Sequence, residues 1–227
     1  MTDGELGELL SDCPTLYHMA ARGSWPLIQH HGLLGTRALL DLFEVRGERR
    51  EAILAQRRPE GVRLEHPDLG EATVRDQKPM SDRGLEKCLG DGMTPEAWYR
   101  LLNERAFLSL SRQRLLRLLQ ARPYRDDEHD VIEVAAAPLV DAYRDRITLA
   151  PINTGFTARY PAPRGADTFL SIEDYPYAHW RGKRARGERV VELAVSPGVP
   201  DIARFVRRVV RMRRDEELDL LWTGPEA

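Results

Sequence analysis

Glu192 is the residue whose type and position could most directly do chemistry in this chain. It interrupts an apolar run, between Val191 and Leu193, of the kind that forms a β-strand. A carboxylate in apolar surroundings has a raised pKa, and it can stabilise a developing positive charge or accept a proton from a nucleophile. Strand alternation also allows a plainer interpretation, in which Val191 and Leu193 face the core and Glu192 faces solvent. Glu192 is a candidate catalytic residue with that alternative open.

His18 and Arg75 are further candidates for contact with a polar ligand. His18 follows Tyr17 on a predicted core strand, where a neutral imidazole could orient ligand hydroxyls by hydrogen bonding. The guanidinium of Arg75 is a planar fork suited to a phosphate. The alternatives are a core histidine satisfied by the backbone and a surface arginine. Only three of the 34 basic residues are lysines, a bias that makes any single arginine weaker evidence.

Several common catalytic and binding motifs are absent. The sequence contains no GxGxxG after a strand and no GxxxxGK[ST], which disfavours a Rossmann dinucleotide site and a P-loop. It also lacks HExxH, CxxC and GxSxG. A metal site formed by His18 with His30 and His31 is disfavoured because adjacent helical residues do not face one another. No metal is expected.

A basic stretch follows an aromatic one near residue 180. Tyrosines, His179 and Trp180 precede a run of cations, and residues 155–214 carry 13 Arg and Lys against six Asp and Glu. Aromatic faces beside arginines could bind single-stranded nucleic acid, whereas an exposed arginine-rich loop is the alternative. The candidate nucleic-acid-binding residues are Arg181, Lys183, Arg184 and Arg186.

Composition predicts one domain in a reducing compartment. The 227 residues fit a single domain over 1–227, and the formal net charge of −2 indicates no general attraction to polyanions. Cys13 and Cys88 stand alone, as in a cytoplasmic protein. The acidic N-terminus does not resemble a signal peptide, and no apolar run reaches the about 18 residues that span a bilayer. We expect a cytoplasmic location and no membrane contact.

Short strands and short helices are predicted in irregular alternation, which indicates an α+β fold. The stretch 57–68, with prolines and glycines, is expected to be poorly ordered. Apolar residues from 202 to 210 at helical spacing predict a C-terminal helix behind Asp201. The other predicted helices are 25–31, 36–43, 95–102, 111–121 and 138–143, and the predicted strands are 16–19, 106–110, 130–135, 147–149, 168–172 and 190–195.

Four segments together resemble the DarT-type DNA ADP-ribosyltransferase toxins and a related bacterial family. Residues 16–34 are similar to their opening strand, with an aromatic residue before histidine, and to a helix that ends in Gly-Leu. Residues 74–77 resemble their arginine-bearing segment, and residues 105–109 their second core strand. Residues 191–202 resemble the strand headed by the catalytic glutamate, because Pro200 follows Glu192 by eight residues. Met19-Ala20, where the family often has threonine, departs from this pattern.

The resemblance implies a split mixed β-sheet with peripheral short helices and an NAD-dependent mono-ADP-ribosyltransferase. Such an enzyme releases nicotinamide and transfers ADP-ribose to a macromolecular acceptor, such as a DNA or RNA base. It implies that Glu192 is catalytic, that Arg75 contacts the pyrophosphate or the departing nicotinamide, and that His18 binds the ribose hydroxyls. Tyr17 and Phe107 are candidates to stack on a ring of NAD, with core packing as the alternative.

Two other functions are compatible with the same resemblance. One is a catalytically inactive module of this fold that binds nucleic acid or protein. The other is an NAD-dependent RNA 2′-phosphotransferase, which needs a second histidine on the next core strand. Residues 106–109 contain no histidine, and the sequence therefore disfavours that alternative.

Overall fold

The computed structural model describes residues 1–90, 92–157 and 161–224. β-Branched and aromatic residues form short strands between the helices, and the predicted α+β class is confirmed. The strands are β1 (Thr15–Ala21), β2 (Leu33–Leu34), β3 (Val62–His66), β4 (Gly70–Val74), β5 (Ala106–Ser109), β6 (His129–Ala135), β7 (Ile147–Ala150), β8 (Leu170–Ser171), β9 (Glu192–Val195), β10 (Gly198–Val199), β11 (Val206–Arg213) and β12 (Glu216–Thr223).

The helices are short, and several begin at a hydroxyl cap. Ser111 and Thr94 each accept a hydrogen bond from an N–H of the first turn. Gly32 ends the second helix with φ 94°, a conformation that favours glycine. The helices are α1 (Asp3–Asp12), α2 (Trp25–His31), α3 (Thr36–Leu42), α4 (Gly47–Ala55), α5 (Asp82–Glu86), α6 (Pro95–Asn103), α7 (Arg112–Leu119), α8 (Ala136–Tyr143) and α9 (Tyr177–Arg181), with 3-10 turns at Arg144–Arg146, Ala166–Thr168 and Ile202–Arg204.

The main sheet is antiparallel, whereas a mixed sheet was expected. Within the described residues, eight strands pair in the order β12-β11-β6-β1-β5-β9-β7-β8. Strand β6 is antiparallel to both β1 and β11, and β9 is antiparallel to both β5 and β7. Strand directions therefore alternate across the whole sheet.

The two halves of the sheet are joined weakly between β1 and β5. Strand β1 pairs with β6 along its whole length, but its register with β5 is a single pair, Tyr17 with Ser109. Beyond that pair, the His18 side chain bonds to the carbonyl oxygen of Phe107. A side chain thus connects the two strands where a backbone ladder would otherwise continue, and the sheet opens at this place.

The predicted helix over residues 202–210 is wrong. A 3-10 turn at Ile202–Arg204 leads into strand β11, which pairs with β6 and β12. The register shifts between Val206 and Arg208, as in a β-bulge. The extra residue of a bulge puts the buried Val206 and Val209 three positions apart, a spacing that resembles a helix in the sequence.

The expectation of poor order over residues 57–68 is also wrong. Strand β3 occupies much of this stretch and forms a hairpin with β4. Leu64 is fully buried between two exposed neighbours, Arg63 and Glu65, which is the alternation of a half-buried strand. This hairpin matters for the site because Arg75 follows β4 directly.

Candidate functional site

One large cavity lies at the opening of the sheet. It has a volume of about 1230 Å³ and is bounded by β1, α2, the end of β4, β5, α7, the loop at residues 153–156 and the start of β9. Its lining includes all five residues that the sequence analysis assigned to catalysis or NAD binding: Tyr17, His18, Arg75, Phe107 and Glu192. These residues are remote in sequence, and the structure brings them to one cavity.

Glu192 opens strand β9, where it pairs with Ser109 of β5 and Ala150 of β7. Its neighbours Val191 and Leu193 are buried, as the alternation predicted. The opposite face of the strand looks into the cavity, and Glu192 is only partly exposed there. Burial raises the pKa of Glu192 to about 7, against the opposing effect of hydrogen bonds from Thr154. A carboxyl group with this pKa can hold or release a proton near neutral pH.

Thr154 binds the Glu192 carboxylate and was missed in the sequence. Its hydroxyl donates to Oε2 at 2.6 Å, and its backbone N–H lies 3.2 and 3.3 Å from Oε2 and Oε1. Residues 153–155 read only as a tight turn. No local signal connects that turn with a strand 38 residues later, and only the fold reveals the contact.

His18 is held as a neutral imidazole. Burial, the largest effect, and the nearby Arg75 together lower its pKa to about 4, against the opposing effect of the hydrogen bond to Phe107. Nδ1 lies 2.8 Å from the carbonyl oxygen of Phe107, so Nδ1 carries the proton and donates it to that oxygen. Nε2 is then an acceptor on a residue that lines the cavity. A structural histidine in a core would make the same backbone contact. Here that contact also fixes the tautomer whose Nε2 can accept a hydrogen bond from a ligand hydroxyl.

Arg75 is a half-buried cation on the cavity wall. It donates from Nη1 to the carbonyl oxygen of Met19 at 2.6 Å, and its guanidinium carbon lies 5.0 Å from the centre of the Tyr124 ring. Burial lowers its pKa. The adjacent Asp76 accepts the Tyr124 hydroxyl, and within the described part of the chain Arg75 forms no ion pair. A partly desolvated, unpaired guanidinium favours an anionic ligand.

The cavity as a whole is positively charged. Its lining contains nine basic side chains and three acidic ones, so an anion is favoured over a cation. Some of this charge is balanced locally, since Arg63 pairs with Glu71 and Arg114 pairs with Glu188. The basic lining residues are Arg22, Arg58, Arg63, Arg75, Lys78, Arg105, Arg114, Arg117 and Arg122.

The two aromatic candidates face the cavity and also contribute to packing. The centre of the Phe107 ring lies 5.9 Å from that of Phe169, which is buried. Tyr17 packs at the edge of a cluster that contains Met19 and Leu115, and burial raises its pKa. Both side chains remain partly accessible. Part of each ring therefore packs against the core, and the remaining part is exposed to the cavity, where a ligand could contact it.

The basic stretch predicted to bind nucleic acid does not reach the cavity. None of Arg181, Lys183, Arg184 and Arg186 lines it. Arg181 pairs with Glu8 of α1, Arg186 lies 3.9 Å from Asp12, and Arg184 lies 3.9 Å from the centre of the Trp180 ring. The acidic side chains of α1 thus neutralise part of this stretch. Its role as a nucleic-acid surface stays a prediction.

Neither a metal-ion site nor a membrane-spanning helix is found among the described residues. Across 1–90, 92–157 and 161–224, no group of three or more His, Cys, Asp and Glu side chains is placed to hold a metal ion. None of the helices in these ranges is long and apolar enough to cross a membrane.

The chain belongs to a protein family that is defined by sequence. A family model described as "Family of unknown function (DUF7002)" matches residues 14–206. The matched range begins just before β1 and ends at the start of β11, so it includes every cavity residue named above. No curated protein matches the chain.

Proposed function

We propose that this protein is an NAD-dependent mono-ADP-ribosyltransferase with an ADP-ribosyltransferase-like fold. The supporting observation is the convergence of Glu192, His18 and Arg75 on one cavity. The volume of about 1230 Å³ exceeds that of ordinary small-ligand pockets, about 300–1,000 Å³, and leaves room for a dinucleotide and an acceptor group. The positive lining suits a pyrophosphate, and the sheet that opens between β1 and β5 suits the split core of that fold.

Each of the three side chains has one task in this proposal. Arg75 binds the pyrophosphate with its free guanidinium edge, and His18 accepts a ribose hydroxyl at Nε2. The bond between ribose C1′ and the nicotinamide nitrogen breaks with its electron pair going to nicotinamide, which leaves as a neutral molecule. Glu192 stabilises the positive charge that develops at C1′, as carboxylates do in glycoside hydrolysis.

Transfer is completed at the same carboxylate. An O–H or N–H group of the acceptor attacks C1′, and its proton passes to Glu192. A nucleobase or another macromolecular group serves as acceptor. Because the pKa of Glu192 is about 7, the carboxylate is ionised in a large fraction of molecules at neutral pH and can take that proton.

We expect NAD to bind and to be turned over. At a concentration 100 times its Kd, NAD should stabilise the folded protein by about 2.7 kcal/mol, which a thermal melt detects. Carbonyl-labelled NAD should release labelled nicotinamide, and adenylate-labelled NAD should label DNA, RNA or a protein of a cell lysate. Stabilisation without release, with all these acceptors present, would support the inactive binding module. No stabilisation at all would contradict the proposal.

Replacing Arg75 with glutamine is expected to weaken NAD binding by about 10- to 100-fold. The change removes a charge-assisted hydrogen bond to an anionic ligand, an interaction of about 1.5–3 kcal/mol. Isothermal titration calorimetry measures the effect. Arg63→Gln is the matched control, since Arg63 lines the same cavity but is already paired with Glu71. Equal affinities for the two variants would mean that Arg75 does not contact the ligand.

A further inference from the structure

The loop at residues 153–156 is built to hold the Glu192 carboxylate. Thr154 directs two donors, its hydroxyl and its backbone N–H, at that carboxylate. Thr154 itself is buried, with 2% of its surface exposed. The side-chain oxygen of Asn153 accepts the N–H of Gly155 and closes the turn. Two donors from one buried residue restrict both the position and the rotation of the carboxyl group.

Arg164 anchors this loop through the carbonyl oxygens of its backbone. It is 4% exposed, and its two terminal nitrogens donate to the carbonyl oxygens of Thr154 at 2.9 Å and Phe156 at 3.1 Å. Its guanidinium carbon lies 5.6 Å from the centre of the Trp98 ring. The backbone of Arg164 is anchored in turn, because its N–H donates to the carbonyl oxygen of Cys88. These guanidinium contacts are with carbonyls and a ring, so the cation holds the loop and needs no carboxylate for that purpose.

We propose that Thr154 and Arg164 are positioning residues that hold Glu192 in its reactive orientation and keep it available as a base. This inference rests on the proposed function, since it assigns the two residues a purpose in the same site. Neither residue needs to touch the substrate. Arg164 fixes the position of the loop through its carbonyl groups. Thr154, in that loop, fixes the position of the Glu192 carboxylate by hydrogen bonding, and Glu192 contacts the reacting centre.

Several charged groups face Glu192 and determine how the site responds to pH. Arg114 approaches from α7, itself paired with Glu188, and Arg164 approaches from its loop. Both favour the ionised carboxylate, as do the Thr154 hydrogen bonds, whereas burial disfavours it and is the largest effect. Removing the Thr154 hydroxyl should therefore raise the pKa of Glu192 further. Because the proposed reaction needs the carboxylate form, activity is lost as pH falls through this pKa, and the loss should begin at higher pH in the variant.

The test is Thr154→Val, which keeps the branched shape and removes the hydroxyl. We expect the Glu192 pKa to rise by about one unit or more, since a hydrogen bond to a charged group has that effect. We also expect nicotinamide release at pH 7 to fall about 10-fold and to recover partly at higher pH. Thr154→Ser retains the hydroxyl, so the Glu192 pKa should stay close to that of the wild type and the rate of nicotinamide release should stay within about twofold of it.

Two further variants separate positioning from general damage to the loop. Arg164→Lys keeps the charge but lacks the planar fork whose two terminal nitrogens bridge the Thr154 and Phe156 carbonyls, so it should move the Glu192 pKa in the same direction as Thr154→Val. Thr157→Val is the matched control, because Thr157 is equally buried but bonds to the Ser81 N–H. That change should leave the Glu192 pKa unmoved even if it lowers stability.

Direct titration distinguishes failure of this inference from failure of the proposed function. Carbon-13 NMR of labelled glutamate carboxyls, with the Glu192 signal assigned by its absence in Glu192→Gln, reports the pKa without any substrate. An unchanged titration in both Thr154→Val and Arg164→Lys would overturn the positioning role. The expected shift, found in a protein that releases no nicotinamide from NAD, would support the hydrogen-bonded arrangement and refute the transferase assignment.

Discussion

Glu192→Gln is expected to lower the rate of nicotinamide release by about 10³-fold while the protein stays folded. The amide has the shape of the carboxyl group, and the Thr154 hydroxyl can still donate to its oxygen. It cannot carry a negative charge, a contribution typically worth about 10²–10³-fold in rate. Nor can it accept a proton from the acceptor, which is typically worth about 10²–10⁴-fold. Release of labelled nicotinamide, followed at saturating NAD, measures the change.

A second carboxylate of the cavity provides the matched control. Glu71 lines the same cavity and is exposed and paired with Arg63. Glu71→Gln should retain the wild-type rate to within about twofold, since exposed ion pairs contribute little. If Glu192→Gln kept its activity at this level as well, Glu192 would not be the catalytic carboxylate.

The same variant has a signature in stability that needs no substrate. The folded-state pKa of Glu192 is raised to about 7, above an unfolded value near 4.3. The stability associated with this group is fully present below pH 4 and is lost as pH rises to 7, in total about 3 kcal/mol. The Glu192→Gln variant does not lose stability in this way, because its amide does not titrate. Its free energy of unfolding relative to the wild type should therefore increase from pH 4.5 to pH 7, as urea denaturation measures.

Asp130→Ala is expected to cost about 3–5 kcal/mol of stability. Asp130 lies on β6 and is fully buried. One carboxylate oxygen accepts from two nitrogens of Arg211, and the other accepts the backbone N–H of Trp25 at the start of α2. Alanine would leave the largely buried Arg211 guanidinium with only the exposed carboxylate of Asp219 at 3.9 Å, and would free the end of a helix that lines the cavity. A thermal melt should show a decrease of about 10 °C in Tm.

Asp219 offers a control on the same arginine. It lies 3.9 Å from Arg211, and its side chain is 63% exposed. Asp219→Ala should cost less than about 1 kcal/mol, because an exposed ion pair is screened by solvent. Equal losses in the two variants would show that burial of Asp130 does not determine the strength of its interaction with Arg211.

Local signals predicted most of the elements around the site. The predicted helices over 25–31, 95–102 and 111–121 are present as α2, α6 and α7, and the contacts that begin or end them at Gly32, Thr94 and Ser111 involve only residues within one or two turns. Strand β11 was misassigned because its bulge changes the spacing of buried residues, and a bulge is a property of pairing with a neighbour. Hairpin β3-β4 was missed because its prolines and glycines concealed the alternation around Leu64.

The sequence by itself determined which functional groups are available: a carboxyl group within an apolar strand, a histidine on a core strand, and an arginine whose guanidinium fork suits a phosphate. Only the tertiary structure decided that Glu192, His18 and Arg75 share a cavity, that Thr154 holds the carboxylate, and that the basic stretch near Arg181 lies elsewhere. The physical reason is that secondary structure follows from near neighbours in the chain. A pKa, an ion pair or a cavity depends on which distant segments exclude water from the same place.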